Sequence, residues 1–349
     1  MTESAHHPRS PAVSLQIIGI HVGGVANQKS SLVRARCVVR EFYTGLSDAA
    51  LHGRLLSRLQ QSISGIPGAA PGSQFDSEAP TAKNSPLFWE AFSSDLGPVA
   101  HQDADTRLLE AISDLGGAQI FCLDAPLTFP QCTTCSRACP TVPLCPEPAV
   151  QGMMELWKED KDTEAKRPRM PLPHTERFFE AYARRRYQVY TYATGAHELE
   201  NVLSSNKAPL AARAHHLARR LKTHFPNALI VETHPWLAAV GWALHCGYRL
   251  NHSAELRQPD SGRIARAGLL KKLELSRTAL RSAVFVEDLF LELSDHVEIF
   301  AATMAAMSGW GLINGLCDIQ PSFLNQAQTD LLQGWALVPR ELATYGWGH

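Results

Sequence analysis

Apolar residues along the chain follow two rhythms. Short apolar runs rich in branched side chains occur at Leu15–Ile20, Ile120–Leu123 and Ala228–Glu232. Runs this short, bounded by turn residues, read as strands buried on both faces. Ser31–Thr44 partly alternates and carries valines and aromatics, which suits a further strand. Longer segments repeat apolar residues every three or four positions. In Thr106–Leu115 the residues Leu108, Leu109, Ile112 and Leu115 share a stripe, and the helix feeds the next strand through Gly116 and Gly117. Helices are likewise expected around 47–64, Pro209–Phe225, Trp236–Cys246, Gly262–Leu280 and Val286–Met307. Residues 65–86, rich in Gly, Pro, Ala and Ser, read as a surface loop, and Leu332–Pro339 as an apolar piece packed back on the core. Strands alternating with helices predict an α/β sheet, whose ligands gather beyond the carboxyl ends of the strands.

The residues at those ends draw attention. Ile120–Leu123 stops at Asp124, and Pro126 and Pro130 then forbid further ladder pairing. Ala228–Glu232 stops at its own acid, followed by Thr233-His234-Pro235. The first run leads into His21-Val22-Gly23-Gly24, where glycines let the backbone turn or a ligand come close. Two strands delivering carboxylates to one rim suggest a site, although an Asp before a Pro also opens ordinary turns. In Val286–Met307, Asp295 and Glu298 stand three apart, so one helix face would carry both. The apolar surroundings make an unpaired charge costly and point to a cation, against the plain alternative of a solvated acidic pair.

With 349 residues, 45% hydrophobic and 19% charged, the chain is expected to form one elaborated globular domain over 15–349 behind a loose tail, 1–14. No apolar run approaches the roughly 20 residues of a membrane span, and the opening MTESAHHPRSPAV lacks a signal-peptide core, so no membrane partner and a cytoplasmic location are expected. A net charge of −1 advertises no nucleic acid globally. Locally, Arg177, Arg184, Arg185 and Arg186 interleave with Phe178, Phe179, Tyr182 and Tyr187, a mixture able to hold phosphates and stack bases, or else one solvated helix face over core aromatics. Four of the eight cysteines, Cys132, Cys135, Cys139 and Cys145, fall in a Cys-rich and charged insertion at 131–173. Their spacing suits a structural zinc with no open position, an iron–sulfur cluster and unligated or disulfide-bonded thiols being the alternatives.

Taken in order, GIHVGG, LDAPL, APLAARAHHLARRL, VETHP, SDHVEIFAATMAA and QGWALVP resemble the predicted nucleases grouped as domain of unknown function 429, within the ribonuclease H-like superfamily. The resemblance spans about residues 15 to 340, with 65–86 and the cysteine segment as elaborations. It implies a mixed central sheet of about five strands flanked by helices and an acidic site for divalent cations, Mg or Mn; it supplies no demonstrated substrate, and nucleic acid is the expected partner. Carried over by position, Asp124, Glu232, Asp295 and Glu298 are the implied cation ligands. His21 departs from the pattern, which usually has Asp there, and is expected as an extra ligand or proton shuttle. A neutral imidazole removes one negative charge and a bridging oxygen from a two-cation centre. Two other readings stand beside the nuclease: a non-catalytic nucleic-acid or protein-binding module, and, less favoured, a phosphotransferase using the Gly23-Gly24 turn, for which no second glycine-rich phosphate loop is found.

Overall fold

The computed structural model describes residues 12–24, 28–40, 85–161, 170–187, 199, 201–205, 207–250, 253–275, 283–284, 287–318 and 335–340. The helix expected over 47–64 and all but the last two residues of the 65–86 loop lie outside this set, as do 276–280 of one expected helix and most of the expected tail. Within the set the protein is α/β. Strand β1 (Ala12–His21) pairs antiparallel with β2 (Ser30–Arg40), which pairs antiparallel with β3 (Leu87–Leu96). After helix α1 (Ala104–Asp114), β4 (Ile120–Leu123) runs parallel to β1 on its other side.

The chain continues through α2 (Pro148–Lys161), α3 (Phe178–Arg186) and α4 (Ala208–His224) to β5 (Leu229–Glu232), parallel to β4. Helices α5 (Pro235–His245) and α6 (Gly262–Leu275) follow. A two-residue strand, β6 (Ala283–Val284), adds beside β3, and α7 (Glu287–Asp295) and α8 (Val297–Ile313) complete the helices. A separate pair joins β7 (Cys317–Asp318) to β8 (Val338–Pro339). The main order, β5-β4-β1-β2-β3, is that of a mixed open sheet compatible with a ribonuclease H-like arrangement.

Alternation along β1 explains why apolar residues occur on both of its faces. Leu15 and Ile17 enter the core beneath α8, α5 and α6, whereas Ile18 and Ile20 enter the opposite core against α1 and α4. Strand β3 went unread in the sequence because only Leu87, Trp89 and Leu96 are buried and two register shifts against β2 break its period. The expected helix over 286–307 is in fact two, broken at His296, so Asp295 closes α7 while Glu298 lies in the first turn of α8.

Helix α8 is buried from Ile299 to Ile313. It reaches the sheet because β1 has a glycine beneath it. A Cβ on Gly19 would stand 2.0 Å from the Ala302 carbonyl oxygen and 2.6 Å from the Ala306 nitrogen, and one on Gly309 would stand 2.6 Å from Cys122 Sγ and 3.0 Å from Ile17. Going forward along β1 therefore means going backward along α8. The helix lies antiparallel to the strand and brings its amino end to the carboxyl end of β1. Gly19→Val is expected to lower unfolding free energy by about 1–3 kcal/mol in a denaturant titration, while Gly24→Ala, where no atom stands within 4 Å, leaves it unchanged.

Candidate active site

The parity of the strands decides which side chains can meet at the sheet's edge. In β1, Ile17 and Gly19 face α8, so His21 does too. Strands β1 and β4 pair in parallel with Ile20 opposite Leu123, and the Asp124 amide donates to the Ile20 carbonyl at 2.9 Å. Asp124 therefore projects beside His21. Their side chains meet, His21 Nδ1 to Asp124 Oδ2, at 2.5 Å. Both are largely covered, at 25% and 16% exposure. Burial alone would lower the His21 pKa; the hydrogen bond and charge of Asp124, joined by the charge of Glu298, outweigh it and raise the pKa above its usual value.

His21 opens onto a cleft of about 180 Å³. The other polar side chains on its walls are Lys29 and Ser31 at the start of β2, Ser94 and Asp95 near the end of β3, and His296 and Glu298 at the amino end of α8. Asp124 is not on the wall but behind His21. Lys29 Nζ lies 3.0 Å from Asp95 Oδ1 with both partners well exposed. The turn carrying Gly23 is closed tightly, since a Cβ there would meet the Lys29 carbonyl at 1.8 Å. Arg213 of α4 holds this turn from below. Its guanidinium bonds the Gly23 carbonyl at 2.6 Å and Asp105 at 2.7 and 2.9 Å. The Arg213 side chain is only 13% exposed.

Glu232 does not share this cleft. Leu123 of β4 pairs with Glu232 of β5, and Leu123 packs into the core under α1 and α4, the face opposite His21 and Asp124. The two acid-Pro strand ends look equivalent in sequence but are offset by one residue, which reverses the face. On its own side the Glu232 carboxylate is fully engaged. Arg177 donates to both oxygens at 2.7 Å, and the Leu127 amide donates at 2.8 Å. Arg177 also bonds Glu180, which accepts from the Arg177 amide at 2.7 Å and so closes the first turn of α3. Burial works against the Arg177 charge, yet Glu180 and Glu232 raise its pKa above the usual value, so the guanidinium stays charged. At 6% exposure it cannot reach a substrate phosphate, contrary to expectation. Nearby, His234 is pushed down to about 3, chiefly by burial, and its neutral ring accepts from the Leu237 amide as the cap of α5.

Asp295 pairs with Arg263 Nε at 2.5 Å. The break after it is held by Arg266, a wholly buried guanidinium whose hydrogen bonds go to the carbonyls of Leu256, Gln258, Pro259, Ser294 and Asp295 at 2.6–2.9 Å. Arg266 thus closes the carboxyl end of α7. Its position on a regular helix gave no sequence signal. Glu298 is exposed and Asp295 half-buried, so the acidic pair is not sunk in an apolar helix as expected. Of the four expected carboxylates, Asp124 and Glu298 act on His21, while Glu232 and Asp295 are taken up by arginines.

Arg184 pairs with Glu176, and Arg185 Nε lies 3.8 Å from Glu159; the Arg186 side chain lies outside the described residues. Neither of the two described arginines faces the cleft. Cys132, Cys135 and Cys145 are half-buried and Cys139 exposed, all as free thiols. Cys132 has its pKa raised by burial and by the nearby Cys145, Cys135 and Cys139 thiols. Among the described residues, no three His, Cys, Asp or Glu side chains are arranged to hold a metal ion. A two-cation centre needs carboxylates shared between the ions, and here Asp124 is bonded to His21, Glu232 faces the opposite layer bonded to Arg177, and Asp295 is ion-paired to Arg263. Among the described residues no helix is long and apolar enough to cross a membrane.

Comparison of the chain with protein-family models, with curated proteins and with solved structures finds no match.

Arg177→Met would strand Glu180 and Glu232 as buried charges without a counter-ion. The expected loss is about 3–5 kcal/mol of stability in a denaturant titration; a smaller loss for Glu232→Gln than for Arg177→Met identifies the uncompensated carboxylates as the cause.

Proposed function

We propose that the protein hydrolyses phosphodiester bonds of nucleic acid, as a ribonuclease H-like relative of the domain of unknown function 429 nucleases, in the cleft where β1 and β4 end. The observation that carries this reading is Asp124 at the end of a central parallel strand, bonded to His21 on the neighbouring one, at the edge of a polar cleft. Lys29 and His296 on the walls offer donors for phosphate oxygens. The sheet order agrees with the fold that the resemblance implies. A second reading, a binding module without turnover, is favoured by the way arginines occupy Glu232 and Asp295. The four clustered thiols are proposed separately as a zinc staple, on their spacing in the sequence alone.

Labelled RNA, DNA and hybrid substrates, incubated with Mg, with Mn and with chelator, separate these readings. Asp124→Asn is expected to slow cleavage by about 100-fold or more; equal rates in wild type and variant remove Asp124 from the mechanism. Binding that weakens steeply with salt, with no cleavage anywhere, supports the module instead. For the thiols, elemental analysis is expected to find one zinc per chain, lost together with thermal stability in Cys132→Ser; a metal-free wild type purified from zinc-supplemented medium refutes the staple.

A further inference from the structure

We propose that His21, clamped by Asp124, is itself the proton-transferring base of this cleft, and that Lys29 and His296 hold the phosphate while water attacks, so that hydrolysis proceeds without a bound cation. The inference rests on the reading of the cleft as a phosphodiester-hydrolysing site and names the group that acts in it. Its basis is the order in which the two side chains stand. Asp124 does not line the cleft and His21 does, so the carboxylate acts on the cleft through the imidazole. An ionised carboxylate can only accept, which puts the ring proton on Nδ1 and leaves Nε2 as the acceptor. The residue is anchored at its backbone and at one ring nitrogen. Its backbone is paired with Ser31 at the end of β1, and its Nδ1 is fixed at 2.5 Å from an acid on the adjoining strand. A base oriented by a second group, beside a cavity for the reacting atom, is the recurring requirement of proton-transfer catalysis.

The residue that departs from the family pattern thus fills a different chemical role. An Asp at position 21 would contribute oxygen to a cation; His21 removes that oxygen and binds the second acid. The walls supply what the cation would otherwise have supplied to the substrate. Lys29 is well exposed at the rim, and His296 caps α8 without spending its ring on a capping hydrogen bond. In the step, a water oxygen forms the new bond to phosphorus and its proton passes to His21 Nε2. The bond from phosphorus to the leaving oxygen breaks with its electron pair, and that oxygen takes a proton from solvent. His21 then returns its proton to solvent. Asp124, hydrogen-bonded to Nδ1, stabilises the imidazolium formed between these events.

The test is hydrolysis of bis(p-nitrophenyl) phosphate and of labelled RNA and DNA by the full-length protein, in chelator and in Mg. Wild type is expected to turn over at comparable rates in both. His21→Ala is expected to fall by about 100-fold and to recover in part with added imidazole, whereas Asp124→Asn falls without recovery. Lys29→Met is expected to raise KM more than it lowers kcat. Circular dichroism and a His21→Gln variant, isosteric enough to keep the strand end, exclude unfolding as the cause. Activity that disappears in chelator and returns with Mg in both wild type and His21→Ala overturns the base role while leaving the hydrolase reading in place. An unchanged rate in His21→Ala does the same. No hydrolysis by wild type in either condition overturns both.

Discussion

The contact of α8 with β1 at Gly19 is the constraint on which the rest of the molecule depends. A helix buried on every side has to be pressed between two surfaces. Here these are the sheet beneath and α5 with its neighbours above. The absence of a Cβ at Gly19, and again at Gly309, lets backbone approach backbone and strand side chains. That closeness fixes the direction and the axial position of α8 together, since neither can slide without bringing a larger side chain over the glycine. The consequence at the edge is that His296 and Glu298 arrive next to His21. A packing requirement in the middle of the sheet thereby sets the composition of the cleft at its end.

The second determinant is strand register. Leu123 and Glu232 are partners across β4 and β5, so the acid one residue later, Asp124, and the acid at the partner position, Glu232, face opposite layers. Glu232 became part of a buried lattice with Arg177 and Glu180 that ties the ends of β5 and the β4 loop to the start of α3. A charged cluster so deep is costly when incomplete and nearly neutral when complete. Its use here is geometric: it fixes where the chain goes after β4, through the Leu127 amide.

Arginines are employed throughout in this way. Arg213 supports the Gly23 turn, Arg266 closes the end of α7, and Arg177 joins three segments. Each satisfies several acceptors at once with one rigid fork, which lysine could not do. A basic, aromatic-rich stretch such as 177–187 therefore has two physical explanations that look alike in one dimension. The aromatics Phe178, Phe179 and Tyr182 pack around Trp335 rather than presenting faces to bases.

What the amino-acid sequence determined by itself was the local part. Short apolar runs made β1, β4 and β5 legible, periodic leucines made α1 and α4 legible, and the abrupt ends at His21, Asp124 and Glu232 marked the rim, because these signals depend only on neighbours along the chain. Only the tertiary structure decided that β3 is a strand despite its bulges, that the 286–307 stretch breaks at His296 where Arg266 gathers the carbonyls, and that Asp124 is bonded to His21 while Glu232 is bonded to Arg177. Those outcomes turn on register, on facing parity and on which distant arginine reaches which carboxylate. Such relations between segments far apart in the chain leave no trace in the spacing of residues within any one of them.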